Sequence, residues 1–217
     1  MTQPFGSQQQ LLQAQRTAAT AVRYEDTRQD IAIVLCGGGD PLAELARAIE
    51  LCGDKPHTIF AGNDQIAEYS GRIDHAVTLH PDKLDMWLRQ RASNGYPPPG
   101  TIWSHRPHVN VQRWSRDWQG STGLIATKIA RELGFTHVLL CGVPMTVEAD
   151  HFLRKAPWKA AYGFRKGWTV HSREIRKYVR SFSGWTKDLF GAPTAEWCAS
   201  EIVDEHRYIS PGTGEKA

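Results

Sequence analysis

The 217-residue chain has no run approaching 18 consecutive apolar residues, which argues against a membrane-spanning helix. Its first 20 residues are polar and Gln-rich, without an apolar core. No export signal is read there, and the cytoplasm is the expected compartment. Cysteine is sparse: four residues, at 36, 52, 141 and 198, with no CxxC pair. That spacing argues against zinc and fits reduced, buried thiols. There is no internal repeat, no GxGxxG and no phosphate loop with its Lys, so two common nucleotide-binding signatures lose support. Net charge is also small, with 26 Lys and Arg against 23 Asp and Glu. At this length a core burying roughly 70% of the unfolded surface forms without disulfides or structural metal.

What the chain does have is tryptophan, eight in all, and a local excess of positive charge. Ten Lys and Arg fall between Arg154 and Lys187, opposed nearby only by Glu174 and Asp188, and the tail after Gly191 is acidic. A local basic patch attracts an anionic ligand even on a near-neutral protein.

Three parts are expected. Residues 1–29 read as an arm, disordered or a loosely docked helix. Residues 30–146 alternate strand and helix. Ile31–Cys36, His57–Ala61, His75–Leu79, Thr101–Ser104 and His137–Cys141 are short apolar runs with the character of parallel strands. Between them lie helical spacings: Leu42, Leu45, Ala46 and Ile49 after Asp40-Pro41, and Leu124, Ile125, Ile129 and Leu133 after Gly120. Val109 to Gln119 reads as an irregular, aromatic-rich loop. This alternation predicts an α/β, Rossmann-like fold with a mostly parallel sheet and helices on both faces. Residues 147–217 read as a basic, Trp-rich helical lid, with Ile175, Tyr178, Val179 and Phe182 at helical spacing.

Ligands of open α/β sheets bind beyond the carboxyl ends of the strands. Here those ends carry Gly37-Gly38-Gly39-Asp40, Gly62-Asn63-Asp64, His80-Pro81, Ser104-His105-Arg106 and Gly142-Val143-Pro144-Met145. Glycines let backbone approach a ligand closely. Ser121 and Thr122 open a helix, where hydroxyls beside free amides suit a phosphate or simply cap the helix. Asn63 can read a base or ribose, or close a turn.

The ordered series IVLCGGGDPL (33–42), FAGND (60–64), VTLHP (77–81), GSTGLIATKIARELGF (120–135) and VLLCGVPM (138–145) resembles the motility-accessory-factor superfamily. That group includes hydroxymethylpterin-diphosphokinase-like proteins and, more remotely, bacterial sialyltransferases that use CMP-sialic acid. The resemblance spans about residues 31–146. It implies a nucleotide pocket lined by Gly37, Gly38, Gly39, Asn63, Ser121, Thr122 and Gly142. Its implied substrate is a nucleotide-activated small molecule such as a nucleotide-sugar donor. Two positions depart from the pattern. Gly38-Gly39-Asp40 stands where the superfamily commonly has Gly-Pro-Ser, and Pro144 where an acidic residue is frequent. The carboxyl-terminal half also resembles phage-encoded proteins, for which the compartment is the host cytoplasm.

Sugar transfer needs a base for the acceptor hydroxyl and positive charge for the leaving phosphate. The candidate bases are His151 and His171, the latter followed by Ser172 as in the sialyltransferases. Arg154, Lys155, Lys159 and Arg165 are the candidate phosphate-neutralising cations. The leading expectation is glycosyltransferase-like group transfer from a nucleotide-activated donor, with no cofactor or metal ligands assigned. One alternative is diphosphokinase-like phosphoryl transfer, which needs a divalent metal and for which Asp40, Asp64 and Asp82 are the carboxylates at hand. Another is a non-catalytic protein that binds a nucleotide, or a nucleic acid through residues 154–187, where Trp158, Trp168 and Trp185 interleave with cations.

Overall fold

The computed structural model describes residues 31–153 and 158–203. The expected arm, Arg154 and Lys155 lie outside the described residues.

Seven strands form one sheet: β1 (Ile31–Leu35), β2 (His57–Gly62), β3 (His75–Thr78), β4 (Thr101–Ser104), β5 (Arg113–Trp114), β6 (His137–Cys141) and β7 (Val179–Ser181). Their order is β5-β4-β3-β2-β1-β6-β7, and every adjacent pair is parallel. The helices are α1 (Pro41–Cys52), α2 (Gln65–Glu68), α3 (Leu84–Ser93), α4 (Thr122–Glu132), α5 (Ala161–Ile175), α6 (Gly184–Phe190) and α7 (Ala195–Ala199). The fold is α/β and Rossmann-like, as the alternation predicts. No helix among the described residues is long and apolar enough to cross a membrane.

Central β1 is buried at every position, and its alternate side chains serve two layers. Ala32 and Val34 face a core built with Leu124, Ile125 and Ile129 of α4 and Trp168 of α5. Ile31, Ile33 and Leu35 face Leu45 and Ala48 of α1. Asp40 caps α1 by accepting the Ala43 N–H, and Pro41 occupies its first turn. All four cysteines are free, with Cys36 half-buried and the others buried.

Two local expectations are corrected. Within 109–119, Arg113 and Trp114 pair with β4 as a two-residue strand rather than loop. The helical spacing of 175–182 does not continue as helix. α5 ends at Ile175 and the chain enters β7. The exposed edge of β6 supplies the reason: Val179, Arg180 and Ser181 register against Val138, Leu139 and Leu140. A β-branched residue on an open ladder satisfies backbone groups that another helical turn would leave outside the sheet. Tyr178 and Val179 thereby join the main core, at 4% and 0% exposure.

Strand order reverses between β1, whose next strand in sequence is β2 on one side, and β6 on its other side. Ligands of such sheets bind in the crevice at that switch point.

Candidate functional site

A cavity of about 490 Å³ opens at this switch point, beyond the carboxyl ends of β1, β2, β3 and β6. Gly37, Gly38, Asn63, Ser121, Thr122 and Gly142 line it, together with His151. Gly39, His171, Lys159 and Arg165 do not.

The floor is polar. Asn63 follows β2 at a positive φ of 54°, which Asn tolerates better than most residues. Its Oδ1 accepts the hydroxyls of Thr78 at 2.9 Å and Thr122 at 3.2 Å. Thr78 Oγ1 itself accepts the His80 N–H and passes its own proton to Asn63 Oδ1. The Asn63 Nδ2 group, a double donor, is left for a ligand. Beside it stand the first amides of α4, at Thr122 and Gly123, which have no acceptor within the helix. Ser121 is committed elsewhere. Its Oγ caps α4 through the Leu124 N–H and accepts the indole N–H of fully buried Trp168 at 3.1 Å.

The glycine turn works through close packing. The Gly38 N–H donates to Gly142 O at 2.9 Å and the Gly39 N–H to Asp150 O at 2.7 Å. These two amides are occupied by protein rather than held out to an anion. A Cβ on Gly37 would lie 2.5 Å from His151 Nε2, and one on Gly142, at φ +70°, 2.2 Å from Cys36 O. Glycine at these positions lets the chain after β6 lie directly on the turn after β1. Buried Glu44 supports the same crossing by accepting the Gly142 N–H at 2.7 Å, and burial pushes its carboxyl up.

His151 is held from three directions. Its residue forms an antiparallel bridge with Gly38. Its Nε2 lies 3.3 Å from Asp64 Oδ2, and its Nδ1 accepts the Leu153 N–H at 3.2 Å. Asp64 Oδ1 in turn accepts the indole N–H of buried Trp87 at 2.9 Å. His171 sits elsewhere, on α5, against the edge of Trp118 and 3.6 Å from Glu174.

The opposite wall is apolar: Leu79, Met145, Ala149, Trp158 and Phe164, the last two stacked with ring centroids 5.6 Å apart. Met145 also has a positive φ of 50°, an unfavourable state for its side chain that marks a constrained segment. Cys36 lines the cavity too, its thiol pushed up to about 12 by burial. Of these, sequence reasoning missed the aromatic wall, His80 and the Asp64 contact. Positions just after strand ends signalled His80, Asp64 and Met145 beforehand, but not their contacts.

The remaining predicted residues have other surroundings. Arg165 donates to Met145 O at 2.8 Å and packs over the rings of Tyr162 and Trp185. Lys159 is exposed. Asp40 caps α1 and Asp82 faces Arg106 at 3.5 Å, so the three strand-end carboxylates are dispersed. Trp168 is fully buried and offers no face to a nucleic acid.

No protein-family model matches the chain, and no curated protein does. Among solved structures it is similar to two variants of the sialyltransferase CST-II, each in complex with CMP. Identities are 9% and 10%, with TM-scores of 0.54 and 0.52. Each match covers 79% of this chain and 89% of the other. At this identity the likeness shows a shared fold.

Proposed function

We propose that the protein transfers a glycosyl group from a nucleotide-activated sugar to a hydroxyl acceptor. One observation carries the reading. The cleft at the sheet's switch point joins an oriented Asn63 amide and an open helix N-terminus to a carboxylate-paired His151. The fold shared with CMP-bound sialyltransferases supports it.

The donor's phosphate sits at the first turn of α4, where amides and helix dipole stabilise negative charge that grows as the leaving group departs. Asn63 Nδ2 donates to the nucleotide. The apolar wall around Trp158 and Phe164 packs against the donor's less polar surfaces and excludes water. The acceptor hydroxyl gives its proton to His151 Nδ1 as its oxygen bonds to the anomeric carbon, and the nucleotide phosphate leaves with the bonding pair. For this the Leu153 N–H must release Nδ1, a local shift within one exposed turn.

The test is a ligand panel: CMP-, UDP- and GDP-sugars, ATP with and without magnesium, and short DNA, read by thermal shift and donor hydrolysis. A donor at 100 times its Kd stabilises by about 2.7 kcal/mol, a rise of roughly 5–10 °C at this size. Slow hydrolysis of that donor is also expected. Stabilisation by ATP only with magnesium, or by DNA alone and lost at high salt, would overturn the reading.

A further inference from the structure

We infer that Asp64, anchored by Trp87, is the positioning residue for His151: it selects the tautomer of the imidazole and stabilises its protonated form. The inference deepens the transferase reading and rests on it for its catalytic consequence.

Two contacts fix the ring. The Leu153 N–H can only donate, so Nδ1 is an acceptor and the ring proton resides on Nε2. That proton points to Asp64 Oδ2 at 3.3 Å. The carboxylate cannot swing away freely, because its other oxygen accepts the Trp87 N–H at 2.9 Å and the indole is 2% exposed. Asp64 itself occupies the N-cap position of α2, directly after the floor residue Asn63. Gly37 makes the space for this edge of the ring, since a Cβ there would come within 2.5 Å of Nε2.

The result is a chain Trp87–Asp64–His151 built from three separate elements and ending in the cleft. When Nδ1 takes a proton from the acceptor hydroxyl, the new positive charge faces a fixed carboxylate. A carboxylate in this position favours the charged imidazole and fixes which nitrogen does chemistry. Among the described residues, other titratable groups near His151 are His80 and Cys36, which line the same cavity, and Glu148 and Asp150 in its own loop.

The experiment compares wild type, Asp64→Asn, Trp87→Phe and His151→Ala in full-length protein. Two readouts are used: the pH profile of turnover with a nucleotide-sugar donor, and NMR titration of ring-labelled histidine. Loss of the base in His151→Ala costs roughly 10²- to 10⁴-fold in kcat. Asp64→Asn is expected to cost roughly 10- to 100-fold, with the donor KM unchanged. It should also move the acid limb and the His151 titration down by about one pH unit or more. Trp87→Phe keeps an aromatic ring and removes the anchoring N–H, so a smaller shift in the same direction is expected. It carries the test if Asp64→Asn fails to fold. An unchanged pH profile and an unchanged His151 titration in the variants overturn the proposal. If wild type turns over no donor, the transferase reading falls, and the titration alone decides whether Asp64 controls His151.

Discussion

Replacing Asn63 by Asp separates what this residue does for the fold from what it does for a ligand. The substitution Asn63→Asp keeps an oxygen where Oδ1 accepts from Thr78 and Thr122, and Asp also tolerates the positive φ. It exchanges the Nδ2 donors for a second, charged oxygen. For an anionic nucleotide two losses follow. A hydrogen bond to a charged group is worth about 1.5–3 kcal/mol. Two unit charges about 5 Å apart at an effective dielectric of about 20 repel by roughly 3 kcal/mol. The cleft is open to water, so a combined loss of about 2–4 kcal/mol is expected, raising the Kd for CMP roughly 30- to 1000-fold. Folding should be almost untouched, because the new carboxylate lies beside the first turn of α4, where negative charge is favoured. Calorimetric titration with CMP gives the affinity, and urea unfolding at pH 7 gives the stability. A folded variant that binds CMP within about threefold of wild type refutes the assignment of Asn63 Nδ2 to the ligand.

Arg91 is 1% exposed and donates to the carbonyls of Ile66, Tyr69, Gly71 and Pro97. Arg91→Met strands those carbonyls and should cost at least about 1–3 kcal/mol in urea unfolding; a loss below about 1 kcal/mol would contradict this. His137 is fully buried; its Nε2 donates to Trp197 O and its Nδ1 accepts the Thr136 hydroxyl. Burial, reinforced by Lys55, pushes it down to about 4 from 6.5. Below pH 6.5 the unfolded chain therefore takes up a proton that the folded chain refuses until about pH 4, so stability falls across that window as pH drops. The share lost between about pH 7 and pH 5 is about 2 kcal/mol, and His137→Gln should flatten the stability–pH slope by that amount. His75, pushed to about 4 by burial but partly exposed, adds a smaller drop. Raised Glu44 and Glu132 act in the opposite sense, which is why the variant is compared with wild type. Equal slopes in the two proteins would remove His137 from the account.

The most legible strands are β1 and β6, buried at every position, because a continuous apolar run bounded by glycine has few other uses in a chain of this size. β7 was not legible. Ile175, Tyr178, Val179 and Phe182 satisfy a helical period, and only the free edge of β6 decides against it. β5 is too short to carry any period. In the cleft, Gly37, Gly38, Asn63, Thr122 and Gly142 were legible because topology sends strand ends to one edge. Ser121 was legible as a residue but not in its task, since capping α4 and receiving Trp168 both depend on packing. The aromatic wall and the Asp64–His151 contact join segments far apart in sequence, and no local pattern announces them.

The central place of β1 has a kinetic consequence. Ile31 registers with His57 on one side and with His137, about 100 residues later, on the other. The second closure costs about 1 kcal/mol more in chain entropy than the first. During synthesis β1 and β2 can pair early, while the other edge of β1 waits for β6. That edge is apolar on both faces and stays unpaired while about 100 residues emerge, a template for strand pairing between nascent copies. Refolding yield should therefore fall steeply with protein concentration, and the step that closes β6 onto β1 should limit the folding rate.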